Sequence, residues 1–202
     1  MALERTFHWI RLKGPGRNWP PMVEGIKATT LPALRDREAS LWGAFHGLFG
    51  VGSNELIMVT SWSMDADPVN ELALEPEMER VEEYVLVPTV RPTSDDELTR
   101  AGLYVFRFFD VRNADVEEIA ELSNTAWTTF EHTTRYEAEP QGLFCQRDRT
   151  RERGKMLLLT WYDGLSSWQT SRQPDPDAVA NFRRRHELTL GTIAFATRLV
   201  ES

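Results

Sequence analysis

Apolar positions in this chain fall into short, strand-length runs separated by turn residues, with stretches of helical spacing between them. Phe7 to Leu12 reads as a strand that Lys13-Gly14-Pro15-Gly16 closes by turn chemistry. Val23, Ile26, Leu31 and Leu34 then recur at roughly helical spacing, which predicts a helix from about Pro21 to Ser40 that Pro32 kinks or splits. Ala44 to Phe49 and Leu56 to Trp62 form a hairpin about the Gly52-Ser53-Asn54 turn. Val69 to Val81 reads as a short acidic helix, and Tyr84 to Val87 is a fourth strand ended by Pro88 and Pro92.

The run Pro92-Thr93-Ser94-Asp95-Asp96 reads as a linker, so the expected division is a first unit over 1–92, a linker over 93–101 and a second unit over 102–202. Leu103 to Phe109 is a strand. Asp115 and Glu118 have capping-box spacing, and Ile119, Leu122, Ala126 and Phe130 mark one buried helix face. Leu143 to Arg147 and Lys155 to Trp161 make a second hairpin. Asp175-Pro176-Asp177 opens a last helix, on which Phe182 and His186 share a face, and Thr192 to Val200 closes the chain as a strand.

Each half therefore reads strand, helix, strand, strand, helix, strand, the ferredoxin-like order. The halves also resemble one another. Gly47-Leu48-Phe49 recurs as Gly142-Leu143-Phe144, and Phe7 to Leu12 lines up with Leu103 to Phe108, which pairs His8 with Tyr104 and Arg11 with Arg107. Neither side of the first strand is polar: Phe7 and Trp9 point one way, Ile10 and Leu12 the other. A sheet that buried one face alone would forgo about 25 cal/mol for each Å² of apolar surface left wet. The expected fold is therefore α+β, two tandem ferredoxin-like βαββαβ units whose sheets face each other and curl into a barrel.

Composition adds exclusions. A chain of 202 residues, 41% hydrophobic and 27% charged, suits a soluble protein with a substantial core. A net charge of −8, from 31 acidic and 23 basic side chains, opposes general nucleic-acid binding. The densest basic run, Arg147 to Lys155, is interrupted by Asp148 and Glu152 and reads as a solvated hairpin tip. Cys145 is alone, which excludes an intrachain disulfide. No signal peptide and no apolar run approaching about 20 residues is present, so a cytoplasmic protein without a membrane partner is expected, monomeric or weakly homodimeric.

The candidate chemistry is sparse. His8, His46, His132 and His186 lack metal-ligand spacing, and no metal or cofactor is expected. His8 and Tyr104 would flank an apolar cavity if their side of the strand faces the barrel interior, and would be ordinary half-buried groups if it faces helices. Arg11 and Arg107 are candidates to fix a carboxylate or enolate, or else strand-end arginines snorkelling into water. His8, Tyr104, Arg11 and Arg107 are the catalytic candidates. Trp9, His46, Trp62, Trp127 and Glu131 are the ligand-binding ones, Trp127 and Glu131 as an i,i+4 pair with His132 beside them. Gly14-Pro15-Gly16 and Gly50-Val51-Gly52 lack the lysine and helix of a phosphate loop, which disfavours ATP and dinucleotides.

The segment from Gly47 through Gly52-Ser53-Asn54-Glu55-Leu56 to Trp62, an Asn-Glu pair opening an apolar strand that ends in an aromatic, resembles the hairpin of the NIPSNAP-like proteins in the dimeric α/β barrel superfamily. Val87 to Pro92 is similar to that family's terminal strand. The likeness spans most of Phe7 to Pro92, with a divergent second copy over Leu103 to Val200 that lacks the Asn-Glu pair. The resemblance implies the facing-sheet barrel inside a single chain. It also implies a superfamily containing cofactor-free oxygenases, small-ring isomerases, decarboxylases and haem-binding members. The expected function is binding of a small apolar or aromatic molecule in a central cavity, with cofactor-free oxygenase or isomerase chemistry. The alternatives are a non-catalytic assembly or regulatory protein, and a haem-binding protein.

Overall fold

The computed structural model describes residues 3–173 and 183–200. The strands are β1 (Thr6–Lys13), β2 (Ser40–Phe49), β3 (Glu55–Trp62), β4 (Glu79–Pro88), β5 (Leu103–Arg112), β6 (Ala138–Gln146), β7 (Arg153–Tyr162) and β8 (Thr189–Leu199). Helices α1 (Pro20–Gly25) and α2 (Leu31–Arg35), joined by a π-helical turn at Ile26–Thr30, connect β1 to β2. Helix α3 (Pro68–Glu71) precedes β4. Helix α4 (Val116–Glu131) connects β5 to β6, and α5 (Leu165–Ser171) with helical residues 183–188 precedes β8. None of the helices among the described residues is long and apolar enough to cross a membrane.

All pairings are antiparallel, and the strands close into a barrel in the order β1-β3-β2-β8-β5-β7-β6-β4. Each half contributes one ferredoxin-like sheet, β4-β1-β3-β2 or β8-β5-β7-β6. The seams are β2 with β8, from Phe45↔Leu199 to Phe49↔Ala196, and β4 with β6, from Leu86↔Gln146 to Pro88↔Phe144. The expected α+β architecture, two ferredoxin-like units closing a barrel within one chain, is the observed one.

The apolar residues on both sides of β1 have separate destinations. Phe7 and Trp9 point inward, where rings from both units pack edge to face: Trp9 on Phe108 at 4.9 Å and 79°, Phe45 on Phe106 at 4.9 Å and 84°. Ile10 and Leu12 point outward with Leu56, Met58 and Trp62, under Met22, Ile26 and Leu34 of the helical layer. In the second unit Phe109 and Val111 lie under Val116, Ile119 and Trp127 of α4.

Several local expectations are corrected. The break in the first helix lies just before Pro32, as a π turn, because that proline supplies no N–H to the preceding turn. The helix expected over Val69–Val81 shrinks to α3, since Pro76 disfavours helical geometry at Glu75 and β4 already begins at Glu79. Asp115 stands at the N-terminus of α4 without a side-chain capping bond and lies 3.7 Å from Arg112, so no capping box forms. The helix start at Asp175-Pro176-Asp177 and the Phe182 position lie outside the described residues.

The internal alignment also shifts. Trp9 pairs with Val59 and Arg11 with Ile57, while Phe106 pairs with Leu159 and Phe108 with Leu157. Equivalent positions are therefore Phe7 and Tyr104, His8 and Val105, Trp9 and Phe106, Ile10 and Arg107, one residue away from the sequence alignment. In the hairpins, Gly43-Ala44-Phe45 occupies the place of Gly142-Leu143-Phe144, each just after a bulge. A Cβ at Gly43 would lie 2.8 Å from the Phe45 ring, and one at Gly142 nearer still to Phe144, so the glycine leaves room for the inward ring two residues on. Gly47-Leu48-Phe49 is four residues beyond this device, and Phe49 is 63% exposed.

Candidate functional site

A cavity of about 220 Å³ lies between the outer face of the second sheet and its helices. Its floor is Val105 and Arg107 of β5, Pro140 of β6, and Leu158, Thr160 and Tyr162 of β7. Trp127 and Phe130 of α4, Ser171 and Arg172 at the end of α5, and Arg185 complete the wall. Outward positions on β5 and β7 alternate with the inward rings, so the barrel core holds this floor rigid.

The wall combines aromatic faces with convergent polar groups. Trp127 is buried and is braced from one side by Arg91, whose guanidinium carbon stands 5.0 Å from the ring centroid. Arg91 also donates to both carboxylate oxygens of Glu131 and, at 3.0 Å, to the Pro140 carbonyl. Ser171 and Thr160 lie near the Tyr162 hydroxyl, and burial pushes its pKa up, so it is a neutral phenol. Burial lowers the Arg107 pKa, and Arg172 lowers it further. Arg185 is pushed down to about 10 by burial and then by Arg107; its guanidinium sits 5.5 Å from the Phe109 ring centroid, with Nη1 3.4 Å from Ser123. Among the described residues no carboxylate or histidine lines the cavity, so that part of the wall offers hydrogen-bond donors and positive charge but no general base.

Two of the residues singled out from sequence reach this cavity, Arg107 and Trp127. Glu131 lies beside it, tied to Arg91. The others are elsewhere. His8 and Tyr104 lie on opposite sides of the barrel wall and do not flank one cavity. Tyr104 points inward and donates to the Arg100 carbonyl at 2.7 Å, and burial pushes its pKa up to about 12. His8 is fully buried toward the first unit's helices, with Nε2 2.8 Å from Glu83, and burial lowers its pKa against the pull of that carboxylate.

Trp9 is a core ring. Arg11 stands at the barrel end, 3.9 Å from Glu55 and 3.7 Å from Glu82, so Arg11 and Arg107 do not share a face. Trp62 is buried on the outer face of the first unit and donates to Thr60 Oγ1 at 2.7 Å. His46 stacks on Trp19 at 4.7 Å in a separate surface groove with Arg198. His132 and His186 are exposed.

Sequence reasoning missed Phe130 as a wall residue, along with Thr160, Tyr162, Arg172 and Arg185. A signal existed for two of the cations: Arg107 interrupts an otherwise apolar strand, and Arg183-Arg184-Arg185 is a basic run in an acidic chain.

The described wall of this cavity does not fit haem. The wall has no histidine or cysteine to ligate iron, and 220 Å³ falls below the roughly 300–1,000 Å³ of ordinary ligand pockets. Among the described residues no group of three or more His, Cys, Asp and Glu is placed to hold a metal ion.

No protein-family model and no curated protein sequence matches the chain. Solved structures do. An anthrone oxidase-like protein superposes with a TM-score of 0.61 at 11% identity, covering 100% of this chain and 94% of that one. A putative monooxygenase from Lactobacillus acidophilus gives 0.55 at 10%, covering 98% and 94%. A chlorite dismutase variant from Candidatus Nitrospira defluvii gives 0.61 at 6%, covering 98% and 91%. At such identities these likenesses show the fold alone, the ferredoxin-like dimeric α/β barrel.

Proposed function

We propose that this protein binds a small aromatic molecule in the outer cavity of its second unit and turns it over with molecular oxygen, without a cofactor of its own. One observation carries the binding reading: Trp127, Phe130 and Tyr162 enclose a space into which Arg107 and Thr160 also converge. An apolar cavity of roughly 150 Å³ already holds benzene, so 220 Å³ suits a single substituted ring. The central cavity first expected inside the barrel is replaced by this outer one, because aromatic side chains pack along the barrel axis.

The oxygenase reading is supported by the names of the structural neighbours, an oxidase-like protein and a putative monooxygenase. A wall without a base restricts it to substrates that arrive already ionised or readily lose a proton to water. Membership of the NIPSNAP-like branch is part of the same proposal. It is supported by the Asn54-Glu55 turn, where Asn54 donates to the Gly14 carbonyl at 3.0 Å and Glu55 accepts from the Gly52 N–H at 3.0 Å. A monomer or weak homodimer is part of the proposal, supported by the closure of the barrel within one chain, as is a cytoplasmic location, supported by the lone Cys145.

The test is calorimetric titration of one-ring and two-ring aromatic compounds into the wild type and a cavity-filling Val105→Phe variant, followed by oxygen consumption with each binder. Binding that the variant loses while keeping its circular dichroism spectrum supports the cavity. Equal binding to both proteins, or none, removes it and favours the assembly alternative. Binding without oxygen uptake removes the oxygenase reading alone.

A further inference from the structure

In a chain with 31 acidic and 23 basic side chains, the described residues of this wall include three arginines and no acid. Several cations elsewhere are matched. Arg80 meets Glu83 at 3.0 Å, Arg149 meets Glu117 at 2.6 Å, Arg184 meets Glu118 at 2.8 Å, and Arg100 meets Glu137 and Glu139. Arg107 departs from this pattern. Among the described residues its charged neighbours are Arg172 and Arg185, with the neutral Tyr162 hydroxyl nearby.

A guanidinium taken partly out of water beside a second one, Arg172, is unfavourable unless something supplies the opposite charge. Arg107 stands half-buried midway along β5 rather than at a strand end, with Trp127, Phe130 and Tyr162 around it. The geometry also selects the kind of anion. Trp127, Phe130 and Tyr162 offer ring faces, and a planar guanidinium fork matches the two oxygens of a carboxylate.

Resting on the cavity reading above, we propose that the ligand of the second unit is an aromatic carboxylate, its ring held against Trp127, Phe130 and Tyr162 and its charge met by Arg107. Arg172 adds to the positive field. Arg185, held over Phe109, is a positioning cation.

The probes are benzoate and its neutral near-isostere benzamide, titrated calorimetrically into wild type, Arg107→Met and Arg107→Lys. A charge-assisted pair predicts benzoate binding tighter than benzamide by about tenfold or more in wild type. That advantage should vanish in Arg107→Met and survive in part in Arg107→Lys, with benzamide nearly unaffected. A purely structural arginine would give a different signature: Arg107→Met would then melt earlier, whereas relief of cation repulsion makes its melting temperature equal to wild type or higher. Benzamide binding as tightly as benzoate overturns the carboxylate inference and leaves the aromatic cavity standing. Selectivity that survives Arg107→Met overturns the role of Arg107. Binding of neither probe, at any concentration tested, overturns both readings together.

Discussion

The outer layers of the two ferredoxin-like units occupy equivalent places in the barrel and are built to opposite ends. In the first, Ile10, Met58 and Trp62 are fully buried and closed over by Leu34 and Leu72, and the Trp62 indole is satisfied by Thr60. In the second the same positions hold Arg107, Leu158 and Tyr162, with Thr160 matching Thr60, and the space that an indole fills in one unit is a cavity in the other. The charges differ likewise. His8 in the first unit is joined to Glu83, which also meets Arg80, whereas Arg107 in the second faces only other cations among the described residues. A shared aromatic barrel core thus supports one sealed layer and one open layer.

The sharpest way to break this comparison is to truncate the matched aromatics. Trp62→Ala empties a closed layer and should cost about 3–5 kcal/mol, while Tyr162→Ala enlarges a space that already exists and should cost less than about 3 kcal/mol. Urea denaturation midpoints with unchanged slopes would read both. Equal costs would mean that the two layers are equally packed and that the contrast is false. Copying the first unit onto the second is the next test. Arg107→Ile, which installs the residue found at Ile10, should raise stability by about 1 kcal/mol by removing a half-buried cation without an ion pair among the described residues, and should abolish carboxylate binding. A loss of stability in a thermal melt would show that Arg107 has a structural partner.

Where the halves agree, substitutions should agree too. Gly43→Ala and Gly142→Ala each press a methyl group into the inward ring two residues on, and each should cost about 1–3 kcal/mol in the same denaturation assay. A neutral result at either glycine would dissolve the hairpin equivalence that fixes the internal alignment.

That alignment marks how far the sequence could be read. Strand order, barrel closure and the facing apolar layers follow from β1 being apolar on both sides, because a barrel wall under helices buries both. The same property hides which side is which. With Phe7, Trp9, Ile10 and Leu12 all apolar, nothing along the strand says whether His8 looks inward, and aligning Arg11 with Arg107 chose the wrong phase by one residue. The identity match of Gly47-Leu48-Phe49 with Gly142-Leu143-Phe144 added a further offset of four residues, away from the bulge and glycine that the two hairpins share. The cavity was illegible for another reason: it is the difference between an indole and a phenol, and between Ile10 and Arg107, at positions that meet only after the chain has folded. Arg107 and Trp127 were visible as chemistry but not as neighbours.

The smallest expected effect separates the two layers by pH. Burial holds the His8 imidazole below its ordinary value of 6.5, while Glu83 pulls the other way and Arg80 and Asp67 act more weakly. Between the lowered folded value and 6.5, the unfolded chain binds a proton that the folded chain does not, so stability rises with pH through that window and is flat above it on this account. The slope contributed by one such group stays below about 1.4 kcal/mol per pH unit. His8→Gln should flatten the rise just below 6.5. Glu83→Gln, by removing the partner that favours the imidazolium, should extend it to lower pH. The equivalent residue of the second unit, Val105, does not titrate, so Val105→Ala should leave the slope as in wild type although it widens the cavity. Denaturation midpoints collected across this range decide the matter, and a His8→Gln profile parallel to wild type would mean that the buried imidazole carries none of the pH dependence.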